Sequence, residues 1–416
     1  MKKIVFQNLS ITIISKILSF VSFLYIAKIL TTANYGVLVY IGMLLSLLPL
    51  FQFGSMHGAV ILLPKFIADK NKDENNLFVG YNYFSHILQF ISIFVLFLFD
   101  IDLNVSVLFI IALNFFLSKY IGNVQMYLNS NHKFEQYNII KGVDQVLKPI
   151  FILILFSYYK NIESIFIAQL IVTMISFIIS SFLVKFKFIN LGFTNISETV
   201  KQLYEIGFYI YLIWAIDILF RTADRWFISQ YYTLENLATY GFVSSLAMNV
   251  WLLAMSFFSP YVQVLYKYIA ENNFLKAKET VESTNKKLYL LLAIVSIATI
   301  AFYPLVLEYF IHKYFETELL FFILVLSSIF LSINNMYIYY IISNNFHFIL
   351  LKYQMIVLFL NLLLNAIFAY FHLDIIYYSY STVFTLGIYY ILVKRYFYID
   401  IKKKLEINYH NSREPL

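Results

Sequence analysis

Six basic residues of this sequence lie inside long apolar runs, where charge is costly: Lys16, Lys28, Lys119, Lys148, Arg221 and Arg225. Placing such a side chain at the centre of a membrane-spanning helix costs at least about 2.5 kcal/mol, so a central cation is expected to face a bundle interior or a watered cavity. The clearest constellation is Asp217, Arg221, Asp224 and Arg225, which recur at helical steps and so share one helix face. Asp217 and Arg221 stand in the favourable acid-first i, i+4 order. Two chemistries fit this face. It is a structural ladder of ion pairs cementing the helix into its bundle, or it is the wall of a hydrated cavity whose pairs break and re-form during a transport cycle.

Lys16 and Lys119 fall near the middles of their runs, and neither has an acid one turn away on its own helix. Their counter-groups must come from another helix, from water or from a ligand. Lys16, Lys119 and Arg221 are therefore the candidates for binding an anionic substrate, and Asp217, Asp224, Arg225 and Lys28 those for gating or ion coupling. Lys28, Lys148 and Arg225 lie within two turns of a membrane surface, where snorkelling to water is the simpler account. His57 reads either as a proton-linked switch or as an interfacial residue with its hydrogen bonds met. Asn361 and Asn365, one turn apart, are expected to bond a neighbouring helix, with gating as the alternative. Pro49, Pro149 and Pro260 are expected to kink their spans.

These residues need elements to hold them, and composition dictates which. Of 416 residues, 61% are hydrophobic and only 13% charged, far from the roughly 25% charge of soluble domains. A helix needs about 20 apolar residues to cross the hydrocarbon layer. Apolar runs at 8–30, 36–63, 77–99, 105–128, 143–159, 162–184, 205–230, 236–262, 286–307, 319–342, 351–371 and 375–393 predict twelve crossings in an all-α polytopic membrane protein. The predicted organisation is an N-terminal six-helix lobe at 1–185, an amphipathic cytoplasmic connection at 186–204, a C-terminal six-helix lobe at 205–393 and a basic cytoplasmic tail at 394–416. Both long connections, 186–204 and 263–285, are amphipathic, and Phe186, Phe188, Ile189, Leu191 and Phe193 are expected to lie along the headgroups. Ala33-Asn34-Tyr35-Gly36 after the first run is echoed by Ala238-Thr239-Tyr240-Gly241 after the seventh, which fits duplicated parallel lobes.

Alternate gaps and the two ends hold 22 of the 30 Lys and Arg residues, whereas the opposite gaps hold only Lys160 and Lys313. That asymmetry predicts cytoplasmic termini. It also explains the formal charge of +7 without a nucleic-acid partner. The start, with Lys2 and Lys3 before a long apolar run, reads as a first transmembrane helix because the run exceeds a signal peptide's apolar region. The absence of cysteine excludes disulfides, thiolate chemistry and Cys-based metal sites. No Gly-rich loop followed by Lys-Ser/Thr is present, which argues against ATP hydrolysis. No catalytic residue, metal site or cofactor is expected. With Asp217 and Asp224 as the clearest acids in the spans, the six bases leave the interior positive. Such an aromatic-lined cavity suits an amphipathic anion, with bases for a diphosphate and aromatic faces for sugar rings.

The stretch Ala27 to Lys65, AKILTTANYGVLVYIGMLLSLLPLFQFGSMHGAVILLPK, resembles the opening of the Wzx-like oligosaccharide-repeat flippases, the polysaccharide transporter branch of the multidrug/oligosaccharidyl-lipid/polysaccharide exporter superfamily. Asp224-Arg225-Trp226-Phe227-Ile228 followed by Ala238-Thr239-Tyr240-Gly241 is similar to that family's pattern at the start of its second lobe. Phe359-Leu360-Asn361-Leu362-Leu363-Leu364-Asn365 resembles its asparagine-bearing eleventh helix, whereas Ile375, Ile376, Tyr377 and Tyr378 replace the small residues usual after it. The resemblance implies two six-helix lobes around a central cavity in a bacterial inner membrane. It implies a flippase, not an enzyme, that moves an undecaprenyl-diphosphate-linked oligosaccharide by alternating access for O-antigen, lipopolysaccharide or other surface polysaccharide. Membrane lipids and the polymerase and chain-length proteins of the same pathway are its implied partners.

Two other functions compete. An ion-coupled multidrug exporter of the same fold would carry cations and need acids facing its cavity, yet the first helix has no Asp or Glu and carries Lys16. A membrane-embedded polysaccharide polymerase or glycosyltransferase would need a substantial outer loop, and no outer gap is long enough.

Overall fold

In a computed structural model the chain is a multi-pass α-helical membrane protein, described at residues 2–68, 74–96, 104–184 and 196–411, with no strand among those residues. The helices are α1 (Lys2–Ile29), α2 (Thr32–Leu47), α3 (Ser55–Ala68), α4 (Glu74–Leu96), α5 (Val105–Ser130), α6 (Phe134–Tyr159), α7 (Ile162–Leu183), α8 (Ile196–Tyr231), α9 (Leu234–Ala270), α10 (Phe274–Phe310), α11 (Glu318–Ser343), α12 (His347–Tyr370) and α13 (Ile376–Asn411). Among the described residues, 11 helical segments are long and apolar enough to cross a membrane. α6, the fifth predicted crossing, is not among them because Lys141, Asp144 and Lys148 dilute its apolar face, yet its 26 residues reach about 39 Å.

The chain divides into two compact units, Met1–Leu212 and Ile213–Leu416, with the division falling inside α8. Residues 186–195, which include Phe186, Phe188, Ile189, Leu191 and Phe193, lie outside the described residues; 196–204 is the first part of α8. The connection expected at 263–285 is instead helical. α9 runs on to Ala270 and α10 starts at Phe274. The polar sequence there ends the apolar run without ending the helix, because Lys, Glu, Ala and Leu are strong helix formers. α13 likewise continues through Lys402, Lys403 and Lys404 to Asn411.

The second predicted run, 36–63, is not one helix. α2 ends at Leu47, a 3₁₀ turn follows over Leu48–Gln52 with Pro49 in its first positions, and Phe53 and Gly54 take φ of +45° and +93° before α3 begins. The left-handed backbone at Gly54 suits a residue without Cβ. A second reason for glycine is close packing of α3 on the first part of α8. A Cβ on Gly58 would stand 2.1 Å from the Leu203 carbonyl oxygen, and one on Gly207 would stand 2.2 Å from that of Gly54. Small residues that let helix backbones touch are a main source of attraction in lipid, where apolar burial gives no driving force. The Tyr211 hydroxyl adds a hydrogen bond of 2.6 Å to the Leu50 carbonyl in the broken segment.

Pro149 shows how the first unit satisfies its backbone. A proline removes the N–H that would bond the carbonyl four residues earlier. The Ser15 hydroxyl of α1 donates to that carbonyl, at Gln145, over 3.0 Å, and Ser22 donates to the carbonyl of Pro149 itself. In the second unit α11 packs mainly on α9 and α13. Its Ser328 hydroxyl donates to the Ala247 carbonyl on α9 at 2.9 Å.

Candidate functional site

The first unit encloses a cation among neutral groups. Lys119 of α5 donates to Gln52 Oε1 at 2.6 Å and to the Tyr81 hydroxyl at 3.3 Å. Gln52 comes from the 3₁₀ break and Tyr81 from α4, so the broken span is tied to α5 through this ammonium. Behind them Tyr81 donates to Asn123 Oδ1, whose amide nitrogen donates to Asn82 Oδ1 at 2.8 Å and Ser85 Oγ at 2.9 Å. Tyr81, Asn82, Ser85 and Asn123 are all buried. No carboxylate pairs with Lys119 among the described residues. His57 and His86 lie within electrostatic reach of it.

The structure does not gather the other N-terminal candidates around Lys119. Lys16 and Lys28 are exposed on α1 and make no hydrogen bond or ion pair with the described residues. Lys148 pairs within α6 with Asp144 at 2.6 Å.

In the second unit Asp217, Arg221, Asp224 and Arg225 lie along α8 at the helical spacing of the sequence. Arg221 Nη2 meets Asp217 Oδ2 at 2.5 Å, and the guanidinium lies over the Trp251 ring of α9 at 5.2 Å. Asp217 and the ring together fix a group that would otherwise sweep many rotamers. Asp224, one turn on, is buried, and neutral donors hold both its oxygens. The Asn365 amide of α12 donates to Oδ1 at 2.9 Å; the hydroxyls of Tyr240 on α9 and Thr382 on α13 donate to Oδ2 at 2.6 and 2.5 Å. Asn365 also donates to Asn361 Oδ1, and Asn361 to the Ser381 hydroxyl. Arg225 Nη2 donates to Ser244 Oγ at 2.9 Å.

Arg221, Asp224 and Arg225 border one pocket with Tyr240, Ser244 and Thr382, which holds about 450 Å³ of empty space continuous with solvent. Asp217 borders a second of about 310 Å³ with Gln354 and Tyr389. In apolar surroundings this clustering of donors and fixed charge offers an ionic group partners that lipid would not.

The one-turn spacing of Asn361 and Asn365 marks them as helix-bonding residues, but nothing in it points to the bond from Asn365 to Asp224. Thr382 carried no signal, because a threonine in an apolar span is commonplace. Gln52 carried little more. The tyrosine of the repeated Ala-x-Tyr-Gly echo was the best clue: Tyr240 reaches Asp224, and the matching Tyr35 is buried at the start of α2 beside Phe23.

Solved transporters of the MOP superfamily share this fold. An inward-facing multidrug resistance MATE family transporter superposes with a TM-score of 0.74 at 12% identity, covering 96% of this chain and 99% of the other. The lipid II flippase MurJ in an inward closed conformation gives 0.69 at 15% identity, covering 95% and 90%. A MOP superfamily transporter from Pyrococcus furiosus Vc1 (DSM3638), described as having a binding pocket of reverse polarity, gives 0.62 at 12% identity, covering 96% and 94%. These likenesses establish the fold. No curated protein matches the chain in sequence. The chain belongs to the polysaccharide biosynthesis protein family, whose pattern matches residues 25–315.

Proposed function

We propose that this protein is a flippase that carries an undecaprenyl-diphosphate-linked oligosaccharide repeat from the cytoplasmic to the periplasmic leaflet of a bacterial inner membrane by alternating access. The product serves O-antigen or another surface polysaccharide, and both termini are cytoplasmic. Its partners are the polymerase and chain-length proteins that use the delivered repeat. The observation that carries this reading is Arg221: a guanidinium within an apolar helical span, oriented by Asp217 and Trp251 and bordering an open pocket with Arg225. A fixed guanidinium presents paired donors to phosphate oxygens, which a cationic drug would not seek. Lys119 and Lys16 are further contacts for the diphosphate. Asp217 and Asp224 exchange partners during the cycle, and Arg225 and Lys28 serve gating.

The test is replacement in a strain deleted for the native gene. Lys16→Ala and Arg221→Ala, each made singly, are expected to abolish surface polysaccharide at unchanged protein level, while Arg221→Lys restores part of it. Polysaccharide persisting in both Ala strains overturns the diphosphate clamp. Normal polysaccharide in the full deletion, with loss of resistance to cationic drugs, overturns the flippase reading in favour of export.

A further inference from the structure

The second unit carries a polar aromatic cluster that the charged face of α8 does not use. On α10, Glu282, Asn285 and Tyr289 stand at i, i+3 and i+7, on one helix face. On α13, Tyr390, Lys394 and Tyr398 stand at i, i+4 and i+8 and face them. The Tyr289 and Tyr390 hydroxyls are 3.0 Å apart. Lys394 Nζ donates to the Tyr390 hydroxyl at 2.9 Å and sits 5.0 Å from that ring. Tyr337 of α11 closes the floor, 6.1 Å ring to ring from Tyr390. Glu282 lies beside the Tyr398 hydroxyl, and Asn285 beside Tyr337.

Three features separate this cluster from an ordinary interfacial belt of aromatic residues, in which each ring sends its hydroxyl outward to the headgroups. The Tyr289 and Tyr390 hydroxyls point at one another between helices. Asn285 is only 3% exposed, and Tyr337 is the polar side chain beside its amide. An amide has two donor hydrogens and an accepting oxygen, so one hydroxyl leaves it capacity for a ligand. Above it, the Tyr289 ring is 40% exposed, so a ligand can reach the group from the surface.

We propose that this cluster is where the protein reads the saccharide of its cargo, an inference that rests on the lipid-linked flippase reading above. A pyranose offers hydroxyls that both give and accept hydrogen bonds, together with apolar C–H faces. Tyrosine hydroxyls, an amide, a carboxylate and an ammonium supply the complementary donors and acceptors, and the exposed ring supplies a flat apolar face. The carboxylate of Glu282 tells against a phosphate at the same spot, and the density of polar groups tells against an acyl chain. The position also fits loading, because Lys286, Lys287, Lys394 and Arg395 place this end of α10 and α13 on the predicted cytoplasmic side.

The test uses the full chain in nanodiscs with two probes: undecaprenyl diphosphate, and the same lipid bearing an N-acetylglucosamine-containing disaccharide. The wild type is expected to bind the sugar-bearing lipid more tightly. Tyr289→Ala and Glu282→Gln are expected to erase most of that difference, about fivefold to tenfold, while affinity for bare undecaprenyl diphosphate stays unchanged. Tyr289→Phe, which keeps the ring, should retain part of it, and an unchanged thermal midpoint shows that each variant is folded. Equal wild-type affinity for the two probes overturns the proposal, as does an undiminished difference in both variants. Equal weakening of both probes makes the cluster a headgroup contact and overturns it too. If the wild type binds neither probe, the flippase reading itself fails.

Discussion

The two halves of α8 are anchored by different physics, each within its own unit. In the first unit the helix is held through its backbone: Gly207 abuts Gly54 and Gly58, and Leu203 lies against Gly58. In the second it is held through side chains, by Asp217 with Arg221, by Asp224 with three neutral donors and by Arg225 with Ser244. The difference matters for mechanism. Backbone contact at this distance depends on shape and has one arrangement. A carboxylate held by hydroxyls and an amide has more than one arrangement, provided each donor meets a new acceptor as it leaves the old one. The side-chain half is therefore the part of α8 suited to a transport cycle, and the glycine half is the part suited to staying fixed.

The largest effect that sharpens this contrast is expected from Asp224→Ala. It strands the Tyr240 and Thr382 hydroxyls and the Asn365 amide in a buried site, and each stranded group costs about 1–3 kcal/mol before relaxation. A loss on the order of 4 kcal/mol follows, read as a large drop in the thermal midpoint of the purified protein. A midpoint near that of the wild type would mean that the second half of α8 does not depend on this carboxylate. Next comes Gly207→Ala. The new methyl would meet the Gly54 carbonyl oxygen at 2.2 Å and the Gly58 nitrogen at 2.6 Å, so two backbones must separate. Overpacking of this kind costs about 1–3 kcal/mol. Gly142→Ala, whose Cβ would meet nothing nearer than the end of the Ile11 side chain at 3.6 Å, is the control expected to leave the midpoint unchanged. Equal behaviour of the two variants would remove the case for a shape-locked contact.

Both anchors show what a sequence can and cannot reveal. The spacing of Asp217, Arg221, Asp224 and Arg225 gives their common face outright, because helical periodicity is a local property. The companions of Asp224 come from α9, α12 and α13, up to 158 residues away, and no local pattern links Tyr240, Asn365 and Thr382. Gly54 and Gly58 do carry the small-residue spacing of close helix pairs. Their partner Gly207 stands alone in its run, so the motif names one side of the contact only. Apolar runs place the crossings well but end too soon. The stretch 263–285 reads as a connection by hydropathy, whereas the backbone of α9 and α10 stays helical over nearly all of it. The break at Leu48–Gln52 follows from Pro49 and Gly54 together. Neither alone forces a break, and the sequence reading of Pro49 as a kink stops short of it.

The smallest effect, and the one that separates charge from shape at Asp224, is expected from Asp224→Asn. The substitution keeps the volume and one carbonyl oxygen, which can continue to accept from Tyr240 and Thr382. The difficulty falls on the other oxygen, where a new NH₂ would face the donating amide of Asn365. Asn365 has a way out: its own Oδ1 is buried and makes no hydrogen bond, so turning the amide presents an acceptor to the new donor. The turn gives up the bond from Asn365 to Asn361 Oδ1, so the net cost is about one hydrogen bond, roughly 1 kcal/mol. Asp224→Asn should therefore sit close to wild type in thermal midpoint while Asp224→Ala falls far below it. Surface polysaccharide in the same strains then decides the role of the charge. A folded Asp224→Asn protein that no longer supports polysaccharide makes the carboxylate part of the cycle, whereas full activity reduces it to a packing group and leaves Arg221 and Arg225 as the working charges of the second unit.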